Sequence, residues 1–309
     1  MEERVMDKRV QFRSAGETIA GVLSRPPGVD GEIPLVIMAG GWCYTKEIVI
    51  PHYAKFFHEI GCATLRFDYR NFGESSGSPR QHIDPWGQIE DYRNALSFAE
   101  TLPGIDHART GIWGISYSGG HVLITPALDT RPAFAISTVP VIDGRQTLRR
   151  IHGEVRFAKL AQLMAADRRR RFAGEPSELM KMSPTESDAE MSVWPFPHVW
   201  QGFKAIKERE APLHEHVNTI ESAEKLFAYR VIPYAKEVYE TPVLVTLAHG
   251  DNITSADLEI EAFNAIPNPQ KKLVSVRGVN HMSLYTNAEH LAQLGRVQRD
   301  WLKETLAGL

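Results

Sequence analysis

The chain has 309 residues, of which 43% are hydrophobic and 24% charged, with a formal net charge of -3 at pH 7. This composition is that of an ordinary globular protein with a large core, and the charge gives no reason to expect nucleic acid as a partner. The charged start lacks the apolar run of a secretory signal, and no apolar stretch approaches the ~20 residues of a membrane span. Cys43 and Cys62 are the only cysteines, which favours a reducing compartment and makes the cytoplasm the expected location.

The first 140 residues alternate between strand-like and helix-like segments. An opening hairpin is predicted from residues 5–14 and 18–24, joined at Ala15-Gly16. Further strands are predicted at 33–39, 63–67, 112–115 and 133–139, and helices at 51–60, 85–102 and 117–128. Repeated strand–helix alternation is typical of right-handed βαβ units and a mostly parallel sheet.

The alternation is interrupted between residues 141 and 240, where the chain is helix-like and poor in strand signals. It resumes with strands at 242–248 and 272–276 and helices at 255–266 and 287–306. About 100 helical residues between two strand-bearing blocks favour an insertion that covers the sheet. The sequence therefore predicts an α/β core from residues 1–140 and 241–309, with a helical cap at 141–240.

The strand predicted at 112–115 runs directly into Gly114-Ile-Ser-Tyr-Ser118, and a helix follows. A strand that ends in Gly-x-Ser-x-small and turns at once into a helix is typical of the nucleophile elbow of α/β-hydrolases. Small residues are needed beside the serine because the backbone folds back on itself there. The hydroxyl of Ser116 would then lie at a helix N-terminus, where the helix dipole favours negative charge.

A serine nucleophile needs a base to take its proton and an acid to orient that base. In α/β-hydrolases these follow the serine in the order acid, then histidine, each in a loop after a strand. Asp251 follows the strand at 242–248, and His281 follows the strand at 272–276. We therefore predict a triad of Ser116, Asp251 and His281, with Asp257 as the substitute acid and His249 as the competing base.

The oxyanion hole of such a site uses two backbone N–H groups. One belongs to the residue after the nucleophile, which is Tyr117. The other comes from the loop after the third strand, where Gly40 and Gly41 allow a close approach and Trp42 is the predicted donor. The alternative is a glycine turn without a catalytic part, and neighbouring Cys43 is interpreted as buried packing.

Several motifs together resemble those of a known group of enzymes. They are Gly40-Gly-Trp with Glu47, Asp68-Tyr-Arg-Asn-Phe-Gly-Glu-Ser75, Gly114-Ile-Ser-Tyr-Ser-Gly-Gly120, Gly250-Asp251 and Asn280-His281. This combination resembles α/β-hydrolases of the dienelactone-hydrolase and cocaine-esterase-like group. Within that group, Trp113-Gly-Ile-Ser-Tyr-Ser-Gly-Gly-His-Val-Leu123 is particularly similar to the polyketide-transferase-like hydrolases. The resemblance implies the α/β-hydrolase fold, the Ser116, Asp251, His281 triad, and Trp42 and Tyr117 as oxyanion donors.

The chain departs from this pattern in three places. Gly40-Gly41 stands where His-Gly is usual, Ser118 replaces the second glycine of the elbow, and dienelactone hydrolases have a cysteine in place of Ser116. The first two departures are compatible with catalysis. The third argues against a true dienelactone hydrolase.

Trp194, Phe196 and Trp200, beside prolines, suggest an aromatic wall for a planar or apolar acyl group, with ordinary packing as the alternative. The run Arg168-Arg-Arg-Arg171 fits a solvated helix face better than a guide for an anionic substrate.

We expect a serine hydrolase that cleaves a carboxylic ester, lactone or thioester through an acyl-enzyme on Ser116. The alternatives are an acyltransferase with the same triad, another reaction of that triad such as C–C cleavage, and a non-catalytic hydrolase-fold binding protein. A small acyl substrate is the expected partner. The sequence implies no metal or organic cofactor, and a homodimer is the default assembly.

Overall fold

The computed structural model describes residues 5–29, 31–187 and 190–309. Residues 1–4, on which part of the expectation about a secretory signal depends, lie outside these ranges. Within them the strands are β1 (Met6–Ser14), β2 (Glu17–Arg25), β3 (Ile33–Ala39), β4 (Ala63–Phe67), β5 (Ile105–Ile115), β6 (Ala135–Thr138), β7 (Leu179–Lys181), β8 (Val217–Thr219), β9 (Val243–Ala248) and β10 (Lys271–Val276). The helices are α1 (Ile50–His58), α2 (Pro85–Ala99), α3 (Tyr117–Leu128), α4 (Gly144–Phe172), α5 (Pro197–Arg209), α6 (Ile220–Ala228), α7 (Ile232–Ala235), α8 (Ala256–Ala265), α9 (Ser283–Thr286) and α10 (Ala288–Leu306).

Eight strands form one sheet in the order β1-β2-β4-β3-β5-β6-β9-β10. The pairs that β2 makes with β1 and β4 are antiparallel, and the other pairs are parallel. Every residue of β3 and β9 is buried, as expected for parallel strands covered by helices on both faces. The predicted mostly parallel sheet flanked by helices is confirmed.

Two successive residues of β5 show how helices cover both faces of this sheet. Trp113 packs against Tyr53 of α1 with ring centroids 5.1 Å apart, and its indole N–H donates to Gln298 of α10 at 2.9 Å. The neighbouring Gly114 faces Ser118 of α3. Because successive strand residues point to opposite faces, α1 and α10 lie on one face and α3 on the other.

The segment between β6 and β9 contains α4 to α7 and the two-stranded sheet of β7 and β8. Helix α4 is broken at Gly153, whose φ of +64° interrupts the helical backbone. The prediction of a strand-poor, helical segment agrees with this content, although the two three-residue strands were not predicted. The functional division into a core and a cap at residues 141–240 stays a prediction.

No helix in the described part of the chain is both long and apolar enough to cross a membrane.

Candidate active site

Ser116 lies at the sharp turn between β5 and α3. Its φ of +60° and ψ of -118° are unusual for a residue other than glycine, and strained backbone of this kind is typical of a nucleophile elbow. A Cβ atom on Gly114 would lie 2.3 Å from the carbonyl oxygen of Ser118. A glycine is therefore required at position 114. The first turn of α3 contains no acidic side chain, so no negative charge there offsets the positive end of the helix dipole at Ser116.

Ser118 has a structural role that the sequence did not indicate. Its hydroxyl oxygen accepts a hydrogen bond from the Ile115 N–H at 2.8 Å and lies 2.8 Å from the carbonyl oxygen of Ala39, to which it donates. These two bonds connect the elbow to the end of β3. A serine at this position therefore ties the elbow to the strand that leads into the predicted oxyanion loop.

The structure brings the side chains of Ser116, His281 and Asp251 together in one chain of hydrogen bonds. His281 Nε2 lies 3.2 Å from Ser116 Oγ, and His281 Nδ1 lies 2.7 Å from Asp251 Oδ2. The other carboxylate oxygen of Asp251 accepts the backbone N–H groups of Ile253 and Thr254 at 2.8 and 2.9 Å. These bonds hold the carboxylate in place and leave one oxygen for the imidazole.

Parallel strand pairing explains why these three residues meet. Ser116 follows β5, Asp251 follows β9 and His281 follows β10. Strands β5, β6, β9 and β10 pair in parallel, in that order, so their carboxyl ends share one edge of the sheet. The loops after β9 and β10 are joined by the Gly250 N–H, which donates to the Val279 carbonyl at 2.9 Å.

The structure places the two alternative site residues, Asp257 and His249, away from these roles, and it buries Cys43 as interpreted. Asp257 is largely exposed and forms an ion pair with Arg150 at 2.7 Å, and His249 is exposed. Cys43 is buried, and burial raises the pKa of its thiol well above the ordinary value, which disfavours the nucleophilic thiolate. None of the three occupies a triad position.

The predicted oxyanion loop lies directly against the serine. A Cβ on Gly41 would lie 2.9 Å from Ser116 Cβ and 3.3 Å from Oγ, so only glycine allows this approach. The next residue, Trp42, is buried, and its ring packs edge-on against Tyr117 with centroids 5.1 Å apart. The residues that carry both predicted donors are thus neighbours of Ser116.

Two side chains from the segment between β6 and β9 hold this loop. The indole N–H of Trp42 donates to Asn218 Oδ1 at 3.0 Å. The ring of His214 donates from Nδ1 to the Cys43 carbonyl at 3.0 Å. Burial lowers the pKa of His214 to about 4, so the ring is neutral at pH 7. Neither residue was singled out from the sequence.

A narrow cavity lies at Ser116 and His281. Its other lining residues are apolar or aromatic: Trp42, Tyr44, Met182, Trp194, Val199, Phe203, Ile253 and Met282. Trp194 is thus in the predicted wall, packed edge-on against Trp42 with centroids 5.9 Å apart. Phe196 and Trp200 are half-buried and do not line this cavity; Val199 and Phe203, on the buried side of α5, take their place.

The arginine run forms the C-terminal end of α4, where it pairs with acidic side chains. Arg170 lies 2.8 Å from Glu175, and Arg171 lies 2.8 Å from Asp167. Arg168 and Arg169 are exposed, as expected for a solvated helix face, whereas Arg171 is largely buried against Asp167.

Tyr285 and Glu259 are further polar residues at the triad, and the sequence analysis missed both. The hydroxyl of Tyr285 lies 3.5 Å from His281 Nε2; the spacing of four residues, one helical turn, is the signal that could have found it. Glu259 of α8 is fully buried. Burial, and then the charge of Asp251, raise the pKa of Glu259 well above the ordinary value. This environment favours the neutral acid form of Glu259, and no sequence signal marks the residue.

The part of the chain that the structure describes contains no group of three or more His, Cys, Asp or Glu residues able to hold a metal ion.

Relatives cover nearly the whole chain. It is 30% identical over 296 residues to the quorum-quenching protein AidA of Acinetobacter baumannii, covering 95% of this chain and 93% of the relative. The chain belongs to the α/β-hydrolase superfamily. Thiohydrolase aneE of Aspergillus aculeatus is 29% identical over 280 residues, covering 89% of this chain and 86% of its own length. Polyketide transferase claH of Penicillium crustosum is 24% identical over 311 residues, covering 97% of each chain. The predicted resemblance to polyketide-transferase-like hydrolases is confirmed.

Solved structures show the same fold. DcsB, in complex with a substrate analogue, superposes with a TM-score of 0.84 at 23% identity, over 98% of this chain and 100% of its own. The α/β-hydrolase GrgF from a Penicillium species gives a TM-score of 0.81 at 23% identity, over 98% and 99% of the two chains. No family model matches the sequence.

Proposed function

We propose that this α/β-hydrolase cleaves a carboxylic ester, lactone or thioester through a covalent acyl-enzyme on Ser116. The observation that carries the proposal is the unbroken contact from Ser116 Oγ to His281 Nε2 at 3.2 Å and from His281 Nδ1 to Asp251 at 2.7 Å. This is the geometry that acyl transfer through a serine requires, a nucleophile within reach of a base that is itself oriented by an acid.

In the proposed mechanism, Ser116 Oγ attacks the substrate carbonyl carbon while His281 Nε2 takes its proton. Asp251 holds the imidazole and stabilises its positive charge. The backbone N–H groups of Trp42 and Tyr117 would stabilise the oxyanion, as supported by the close approach of Gly41 to Ser116. His281 then protonates the leaving alcohol or thiol, and water repeats the sequence to release the acid.

The cavity favours an apolar acyl group. Its wall is formed largely by aromatic and aliphatic side chains, among them Trp194, Val199 and Phe203, which offer an acyl chain dispersion contacts and few hydrogen bonds. The relatives named as thiohydrolases support a thioester as one substrate class. We further propose that residues 141–240, which contribute these three side chains, form the substrate-covering cap.

Transfer of the acyl group to an alcohol or amine is the second candidate function. The largely apolar lining of the cavity favours it, because few of the lining side chains can hold water at the acyl-enzyme. Relatives named polyketide transferase and acyltransferase support it as well.

For location and partners we propose the cytoplasm, a small acyl substrate and a homodimer. Both cysteines, Cys43 and Cys62, are free thiols, which fits a reducing compartment. The homodimer rests on the general frequency of two-fold assemblies.

Labelling with a fluorophosphonate followed by peptide mass spectrometry tests the nucleophile. The label is expected on Ser116, and Ser116→Ala should abolish both labelling and turnover of p-nitrophenyl esters and acyl thioesters. Ser97→Ala, at an exposed serine of α2, is the matched control and should keep both. Labelling of another residue, or full turnover by Ser116→Ala, would overturn the assignment. Product analysis with and without an added alcohol then separates transfer from hydrolysis.

A further inference from the structure

Tyr285 is placed where the proton of the reaction moves. Its ring stacks on the imidazole of His281 with centroids 5.6 Å apart and an interplanar angle of 29°. Its hydroxyl lies 3.5 Å from His281 Nε2, at the outer limit of hydrogen bonding, and also interacts with the Ser116 side chain. The phenol therefore lies beside the imidazole nitrogen that takes the proton in the proposed mechanism.

Three elements hold Tyr285 in this position. Tyr44, on the loop that follows β3, packs edge-on against it with centroids 5.7 Å apart, and the two hydroxyls interact. Phe203 of α5 lies 6.2 Å away, centroid to centroid. Tyr53 of α1 donates to the carbonyl of Leu284, the preceding residue, at 3.5 Å. A tyrosine that served only to fill space would not need its hydroxyl directed at Ser116 and His281.

The second half of an acyl-transfer reaction needs a site for the incoming nucleophile. That nucleophile must reach His281 Nε2 and the acyl carbon at the same time, and a water or alcohol in an apolar cavity needs polar partners to be held. Tyr44 lines the cavity, and its hydroxyl connects to that of Tyr285. Burial raises the pKa of the Tyr285 phenol well above its ordinary value, so the hydroxyl stays protonated and can both donate and accept.

We propose that the paired hydroxyls of Tyr44 and Tyr285 form the acceptor subsite, which binds the water, alcohol or amine that attacks the acyl-enzyme. This inference rests on the proposed function. In the step it serves, the acceptor oxygen or nitrogen bonds to the acyl carbon and gives its proton to His281 Nε2. The bond from the acyl carbon to Ser116 Oγ then breaks, and Nε2 returns the proton to Oγ.

Tyr285→Phe tests the proposal, with acylation and deacylation measured separately. Acylation by a p-nitrophenyl ester is followed in a single turnover, and the isolated acyl-enzyme is followed by intact-mass spectrometry as it decays. Loss of one hydrogen bond to the acceptor should slow decay by about 10-fold to 100-fold, with acylation within about threefold of wild type. Tyr44→Phe should affect decay in the same direction, and the ratio of methanolysis to hydrolysis should change in both variants.

Tyr239→Phe is the control, because it removes the hydroxyl of an exposed tyrosine that donates to Glu237 and has no part in holding Tyr285. It should leave both steps unchanged. The acceptor subsite is overturned if Tyr285→Phe slows acylation as much as deacylation, or if neither step changes. It is also overturned if Tyr285→Phe is misfolded and a folded Tyr44→Phe deacylates at the wild-type rate. A wild-type enzyme that forms no acyl-Ser116 would instead contradict the proposed function.

Discussion

The buried ammonium of Lys46 provides a quantitative test of how the proposed oxyanion loop is held. Lys46 Nζ lies 2.7 Å from Asp68 and 2.7 Å from Glu74, and the side chains of Lys46 and Asp68 are 2% and 0% exposed. Asp68 also accepts the backbone N–H groups of Lys46 and Glu74. Burial lowers the pKa of Lys46, but the neighbouring carboxylates raise it more, and it ends above its ordinary value. The ion pair thus connects the end of the loop that contains Gly41 and Trp42 to the loop after β4.

Lys46→Met keeps the length of the side chain and removes its charge, which leaves the Asp68 carboxylate buried and unpaired. Breaking a buried pair in this way costs about 3–5 kcal/mol. With an unfolding entropy of about 2.1 cal/mol/K per residue, this corresponds to a Tm about 5–8 °C lower for a chain of 309 residues. Because the oxyanion loop is then less well placed, kcat for an ester should fall by up to about 10²-fold.

Thermal unfolding at pH 7.5 and steady-state ester hydrolysis measure the two effects. Lys55→Met, at an exposed lysine of α1, is the control and should change stability by no more than about 0.5 kcal/mol. Lys46→Met/Asp68→Asn, which removes both charges, should recover part of the loss. A Tm for Lys46→Met within about 1.5 °C of wild type, or a double variant no more stable than the single one, would refute the reasoning.

Three further predictions concern the triad and the buried ionisable groups around it. Asp251→Asn should lower kcat by about 10³-fold to 10⁴-fold, whereas Asp257→Asn, at the exposed partner of Arg150, should hydrolyse esters at nearly the wild-type rate; equal losses would contradict the assignment. Glu259→Gln mimics the neutral acid, so it should retain activity. The pKa of Glu259 is raised in the folded state, so the wild-type protein loses stability as the pH rises above about 4.3, the pKa of a glutamate in the unfolded chain. The variant should therefore have the higher Tm at pH 8. A lower Tm would mean that the carboxylate is needed. Finally, burial lowers the pKa of His121 to about 3, so the unfolded chain binds a proton from about pH 6.5 downward that the native state does not. Because of His121, the free energy of unfolding should therefore be about 2 kcal/mol lower at pH 5 than above pH 6.5. His121→Gln should show a smaller fall when both proteins are unfolded in urea. An identical pH dependence of the two proteins would exclude this cause.

The sequence predicted the parts of the site that depend on strand ends. Ser116, Asp251 and His281 each follow a short apolar run, and runs of that kind become parallel strands whose carboxyl ends meet at one edge. The steric need for Gly114 and Gly41 could also be predicted, because a close backbone approach leaves a glycine in the sequence. Chain order and strand pairing were enough for these positions.

Contacts between elements far apart in the chain could not be predicted in the same way. Nothing in the polar loop after β4 indicates that Asp68 will receive the ammonium of Lys46, because an ion pair leaves no periodic pattern. Phe196 and Trp200 were expected in the pocket, yet Val199 and Phe203 line it, since the side of α5 that is buried depends on where the helix docks. The start of β5 at Ile105 was missed because residues 106–109 are polar or exposed and show no apolar run. Ile105 pairs with Ile33 of β3, and the register shifts before Thr110 pairs with Leu35.

The segment between β6 and β9 connects substrate shape to catalysis. His214 holds the Cys43 carbonyl at 3.0 Å, and Asn218 holds the Trp42 indole at 3.0 Å. These two contacts fix the Trp42 ring and the carbonyl of the next residue, and so they limit how far the backbone around the Trp42 N–H, the proposed oxyanion donor, can move. The same segment contributes Met182 and Trp194 to the cavity wall. A substitution that moves this segment to admit another acyl group is therefore expected to change kcat together with KM, because the wall and the oxyanion loop cannot be repositioned independently.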